Sequence, residues 1–230
     1  MKILKATGSF LLAACLLLSS GCASMTNTGK GALIGGGGGA AVGAGIGALI
    51  GGGKGALIGS AIGAGVGAGA GALIGNKMDK QQKELEKIQG AQVEEAVDQN
   101  GLQAIKVTFE GGILFPTGKS TLNATAKNSL SQFAASLSAN PDTNVQIFGY
   151  TDNTGGYAVN ERISNERADA VRTYLVNSGV TGTRITATGI PMADYVASNE
   201  TAEGRAQNRR VEIFISANET MIQKANAGTL

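Results

Sequence analysis

GYTDNTGGYAVNERISNERADAVR, Gly149–Arg172, and TAEGRAQNRRV, Thr201–Val211, decide how this chain is read. In the first stretch a short strand, Asn144–Tyr150, runs into the turn-rich Asp152–Gly156. Ala158–Asn177 then follows with helical periodicity, and Gly179 lies just past its end. Ile163, Val171, Tyr174 and Leu175 form the apolar stripe of that helix. Asn160 and Arg167 fall on the same stripe, two turns or about 10.5 Å apart. A charge on the buried side of a helix is costly unless paired. In the second stretch Thr201–Asn208 reads as a short helix and Arg209–Ser216 as a strand. Val211, Ile213 and Ile215 share one face of that strand, Arg209 has their parity, and Arg210 points the other way. Asp152 sits where the earlier strand meets its loop. An acid, an amide and two arginines therefore converge on one end of a sheet, a set suited to holding one small zwitterion. The alternative is that Asp152 and Arg167 form only a structural salt bridge.

Outward from these stretches the pattern stays globular. Leu102–Phe109 alternates, with Ile105, Val107 and Phe109 on one face. Leu122, Ala126, Leu130, Phe133, Ala134 and Leu137 recur at helical spacing until Asn140-Pro141. Arg184–Thr188 is a further strand. Strands alternating with helices predict an α/β domain of the α+β type, one sheet covered by helices on one face. The domain is expected over residues 101–218, with 219–230 a loose tail that lacks an apolar pattern.

Composition limits the chemistry. The 230 residues contain no histidine, the commonest general base and metal ligand. Cysteine occurs only as Cys15 and Cys22, near the N-terminus, so the body holds no disulfide and no thiolate metal site. No metal and no cofactor are expected. Without Lys2 and Lys5, which lie in a segment expected to be cleaved, basic and acidic residues balance. Bulk charge therefore gives no attraction to nucleic acid. Gly118-Lys119-Ser120 does not complete a phosphate-binding loop, because Ile113 stands where the first glycine is required. Glycoside cleavage needs two carboxylates facing one bond, and Glu161 and Glu166 fall off the face of Asp152. No enzyme activity is expected.

The N-terminus carries an address. Two lysines in Met1–Lys5, the apolar Phe10–Leu18 and the small Ser19-Ser20-Gly21 form a secretory signal over residues 1–21. Cys22 follows the cleavage point. Leu12-Ala13-Ala14-Cys15 also fits the local pattern, but cleavage there would leave a second apolar run, Leu16–Leu18, behind it. The segment resembles a bacterial lipoprotein signal, which implies that Cys22 takes a diacylglycerol and its freed amine a third acyl chain, such as palmitate. Multiple chains hold a protein stably in a membrane, whereas a single chain does so marginally. The resemblance also implies sorting to the outer membrane, since no Asp follows the cysteine.

Beyond the linker 22–30, glycine recurs at every fourth position from Gly31 to Gly75, spaced by Ala, Leu, Ile and Val. In water such a run is a poor helix, at about 1 kcal/mol per glycine relative to alanine. In lipid a helix satisfies its own backbone, and a glycine row lets a second helix approach closely. Lys54 divides the run into two halves, each about long enough to span a bilayer. Residues 31–75 are read as a membrane-associated glycine zipper, a helical hairpin, with a low-complexity spacer as the alternative. Residues 76–100 are polar and are read as a connecting helix.

From about Ile105 to Ser216 the chain resembles the OmpA-like peptidoglycan-binding family. The matching landmarks are LFPTGKSTL (Leu114–Leu122), GYTDNTG (Gly149–Gly155), NERISNERA (Asn160–Ala168), Gly179-Val180, Arg184, Gly189 and NETAEGRAQNRRV (Asn199–Val211). The resemblance implies a βαβαβ-like domain with a mixed sheet. It also implies non-catalytic binding of the peptidoglycan stem peptide through its diaminopimelate residue. By the same resemblance Asp152 accepts from the ligand amine, and Arg167 clamps the carboxylate with a planar fork that lysine lacks. Asn160 supplies neutral hydrogen bonds, Arg209 a second contact or loop support, and Thr151 its backbone. Pro116-Thr117 departs from the polar pair expected there, so no ligand contact is carried from that loop. Lipoprotein signal, zipper and wall-binding domain together are similar to a subgroup of outer-membrane lipoproteins whose C-terminal domain faces the periplasm. The competing role is a membrane-assembly protein that forms homo-oligomers through its zipper and uses the wall domain as an anchor.

Overall fold

The computed structural model describes residues 66–230 apart from 99 and 117. The signal segment, Cys22 and the zipper up to residue 65 lie outside the described residues. The elements are α1 (Ala68–Leu85), β1 (Ala91–Val97), β2 (Gln103–Glu110), a short α2 (Gly111–Leu114), α3 (Ala124–Ala139), β3 (Thr143–Tyr150), α4 (Tyr157–Asn177), β4 (Ile185–Ile190), α5 (Ala202–Asn208), β5 (Arg210–Ala217) and α6 (Glu219–Asn226).

The strands form one mixed sheet in the order β1-β2-β5-β3-β4. Only β3 and β4 run parallel, and α4 is the crossover between them. The other neighbours are antiparallel. Alternation along the strands decides what each face buries. Ile105, Val107 and Phe109 of β2, Val145 and Ile147 of β3, and Val211, Ile213 and Ile215 of β5 enter one core with Leu130, Phe133, Ala168, Val171 and Leu175 from the helices. Helices therefore cover one face, as the alternation of strands and helices predicts. Across the sheet Phe148, Tyr150 and Phe214 make a smaller cluster.

Two glycines set how closely α4 lies on the sheet. Gly149 and Gly189 are directly paired between β3 and β4. A Cβ on Gly149 would lie 2.3 Å from the carbonyl oxygen of Ser164, and one on Gly189 2.5 Å from the amide nitrogen of Asn165. The helix that carries Asn160 and Arg167 rests on bare backbone.

Three expectations are corrected. The polar helix over 76–100 ends at Leu85, and Ala91–Val97 is a fifth strand that pairs with β2 at the sheet edge. The boundary at residue 75 falls inside α1, because Ala70, Ile74, Met78 and Leu85 form one continuous buried stripe on the core. The last turns of the zipper thus belong to the folded domain. The tail 219–230 is not loose: Asn218 caps α6 by accepting from the amide of Met221, and Met221, Ile222 and Ala225 are buried. Helices α1 and α6 pack together and complete the core beside β2. Among the described residues no helix is long and apolar enough to cross a membrane.

Candidate functional site

The candidate site lies at the end of the sheet where β3 stops and β5 begins. Four segments meet there: the loop 151–156, the first half of α4, the α5–β5 junction, and the loop from Phe115 to Asn123. The sequence-predicted residues are brought together, with a different pairing from the one weighed.

Asp152 pairs with Arg209. Arg209 donates through Nη1 to Asp152 Oδ2 at 2.5 Å, and Thr154 N donates to Oδ1 at 2.8 Å. The aspartate side chain is almost wholly buried, at 7% exposure, while that of Arg209 is 40% exposed. Burial alone would push the Asp152 carboxyl up, but the bonds from Arg209 and Thr154 outweigh it and hold the group below its ordinary value. A carboxylate offers about four lone-pair sites, so it keeps capacity for a further donor. Arg209 itself is fixed by its backbone: Gly111 N donates to its carbonyl at 2.5 Å, an approach that a side chain at Gly111 would block.

Arg167 has no such partner. The residue is 5% exposed, its guanidinium lies 5.3 Å from the centre of the Phe115 ring, and its Nε donates to the Lys119 carbonyl at 3.2 Å. Among the described residues no carboxylate forms a salt bridge with it. Burial, and then the charge of Arg209, push the Arg167 guanidinium below its ordinary value, while Asp152 pulls it back. The result is a cation largely removed from water, next to a second cation. Such a group favours an incoming anion strongly.

Asn160 is buried and braces the loop. Its Nδ2 donates to the carbonyls of Thr154 at 2.9 Å and Gly156 at 3.2 Å, which leaves Oδ1 as its acceptor. Thr151 is buried, and its Oγ1 accepts from Met192 N at 3.0 Å. Both fix the backbone around Asp152. Arg184, one of the sequence landmarks, lies elsewhere: it donates to the carbonyls of Leu137, Asn140 and Thr143 and closes the C-terminal end of α3.

The sequence reading missed Phe115. It stands inside LFPTGKSTL (Leu114–Leu122), a loop whose Pro116-Thr117 lacks the polar pair that would point to a ligand contact. The signal in the sequence was an aromatic residue directly before proline.

Residues 114–209 match the OmpA family, and residues 1–79 match the YMGG-like Gly-zipper family. The C-terminal domain belongs to the OmpA family. A curated relative of this OmpA domain is the probable lipoprotein YiaD of Escherichia coli, 43% identical over 112 residues, 49% of this chain and 51% of that protein. Another is the peptidoglycan-binding protein ArfA of Mycobacterium tuberculosis, 42% identical over 113 residues, 49% of this chain and 35% of the relative. The chain thus spans about half the length of the first relative and about a third of the second. Among solved structures, the cell wall anchor of the T6SS from Pseudomonas aeruginosa superposes on the OmpA domain with a TM-score of 0.51 at 29% identity, over 61% of this chain and 97% of that one.

Proposed function

We propose that this protein tethers the outer membrane to the cell wall by non-catalytic binding of the diaminopimelate-containing stem peptide of peptidoglycan. The observation that carries the reading is Arg167: buried, stacked on Phe115 and without a carboxylate. Its planar fork suits the ligand carboxylate. Asp152, already fixed by Arg209, accepts from the ligand amine through its remaining lone pairs. Asn160 Oδ1 offers a neutral acceptor beside them, and Thr151 contributes through its backbone. Relatives described as a probable lipoprotein and as a peptidoglycan-binding protein support wall anchoring. The lipid end is the acylated Cys22 behind a cleaved signal peptide, which leaves the OmpA domain facing the periplasm.

The test is co-sedimentation of the detergent-solubilised full chain with purified sacculi, alongside Arg167→Ala and Asp152→Ala. The parent pellets with the wall, and both folded variants stay in the supernatant. Pelleting of both variants at the parental level would overturn the site. Soluble wall fragments released by the parent would overturn the non-catalytic reading.

A further inference from the structure

The loop 191–199 lies beside the site and is tied down along its length. Thr151 Oγ1 accepts from Met192 N at 3.0 Å. The Asp194 carbonyl accepts from Arg210 Nη2 at 3.0 Å. Asn208, fully buried, accepts from the amides of Val196 and Ala197 at 2.9 and 3.0 Å and donates to the Ala197 carbonyl at 2.9 Å. Asn199 Oδ1 accepts from Asn153 N at 3.4 Å, next to Asp152.

The far face of the sheet anchors this arrangement. Arg210 is 4% exposed, lies 3.8 Å from the centre of the Tyr150 ring and donates to Glu212 at 2.7 Å. Its third contact is the loop carbonyl of Asp194. Met192 and Asp194 are both held in the left-handed region, at φ 49° and 51°, which non-glycine residues adopt only where surrounding contacts enforce it. The backbone is specified in detail, yet its tip leaves Tyr195 at 41% and Val196 at 59% exposure. In sequence Tyr195 lies between Met192 and Asn199, the residues tied to Thr151 and Asn153, the two neighbours of Asp152. A rigid loop that holds an aromatic ring in water beside a charged cleft has placed that ring for contact.

We infer that Tyr195 is a specificity-determining residue of the cleft, stacking its ring on the apolar C–H face of the amino-sugar that carries the stem peptide. The inference rests on the peptidoglycan reading above. The stem peptide is covalently joined to the glycan, so a cleft that seats the peptide brings a sugar ring to its rim. The C–H bonds on one face of a pyranose present weak positive charge to the negative face of an aromatic ring. Val196 beside it extends the apolar patch.

Two ligands separate this idea from its foundation: a disaccharide-bearing muropeptide and the same stem peptide without sugar. Binding of each to the full chain is measured for the parent, Tyr195→Ala, Tyr195→Phe and Arg167→Met. Tyr195→Ala should weaken the muropeptide about three- to tenfold, the range of a single aromatic contact, and leave the free peptide unchanged. Tyr195→Phe should retain parental affinity for both. Equal affinity of Tyr195→Ala and parent for the muropeptide, or equal loss for both ligands, would overturn the stacking role. Parental binding by Arg167→Met would instead overturn the peptide-site reading beneath it.

Discussion

Asp152 and Arg209 form a salt bridge that is buried on the acid side and open on the basic side. Burial raises the Asp152 carboxyl, and the bonds from Arg209 and Thr154 more than reverse that. A carboxylate whose folded value lies below its unfolded value, about 3.9, stabilises the fold above that pH. The contribution drains as pH falls through the lower folded value. Thermal melts of parent and Asp152→Asn should therefore differ by a constant margin near neutrality, and the margin should narrow below about pH 4. A margin independent of pH down to acid unfolding would mean that the charge of Asp152 contributes nothing.

Arg167 should show the opposite economy. Replacing a buried unpaired cation by an apolar side chain of similar length removes a desolvation cost while keeping much of the packing on Phe115. Arg167→Met is expected to melt at or above the parental temperature and to lose sacculus binding. Arg167→Lys, which keeps charge without the fork, should bind about tenfold or more weakly. A large drop in the Met variant's melting temperature would mark Arg167 as structural.

Gly149 tests the seating of α4. A methyl group there collides with the Ser164 carbonyl and forces the helix off the sheet. Gly149→Ala should cost about 1–3 kcal/mol, lowering the melting temperature by about 3–10 °C. Because Asn160 and Arg167 ride on the same helix, sacculus binding should weaken as well, measured well below the transition.

Gln81 sits in the middle of the buried stripe of α1, between Met78 and Leu85, and among the described residues neither of its amide atoms is hydrogen-bonded. An enclosed amide without partners costs about 1–3 kcal/mol. Gln81→Leu should raise the melting temperature by several degrees without touching wall binding. A fall in stability would show that the amide is satisfied by bound water.

What was legible in the sequence follows from where the signal is local. Periodicity over Ala158–Asn177 and alternation over Arg209–Ser216 report burial directly, and both elements form within a residue or so of those bounds. Strand β1 was hidden because Glu94 and Glu95 stand side by side and break the alternation; the strand is held by its ladder to β2 and by Lys106, which pairs with Glu94. Helix α6 was passed over although its cap, Asn218, and its apolar pair, Met221 and Ile222, were present. The start of α1 reads as a lipid segment because small residues at fourth-residue spacing suit close packing against any smooth surface, a protein core included. At the site, Asp152, Asn160, Arg167 and Arg209 converge as their faces predicted. The choice of Arg209 over Arg167 as partner of Asp152, and the Phe115 ring under Arg167, depend on contacts between distant segments, which spacing does not encode.

The hydrogen bond from Gly67 N to Asn226 Oδ1, at 3.4 Å, has a mechanical meaning. Asn226 ends α6, whose Lys224 pairs with Asp142 just before β3 begins, while Asp152 follows the end of β3. The eight residues of β3 thus separate chain entry from cleft by about 25 Å. A pull between the residues that precede α1 and a ligand in the cleft is directed along the strands. Its hydrogen bonds, perpendicular to that line, are loaded together in shear. Helix α1, held mainly by apolar contacts, meets the force first and would peel away turn by turn. In the proposed tether it is the extensible part, and the five-stranded sheet is the stiff part.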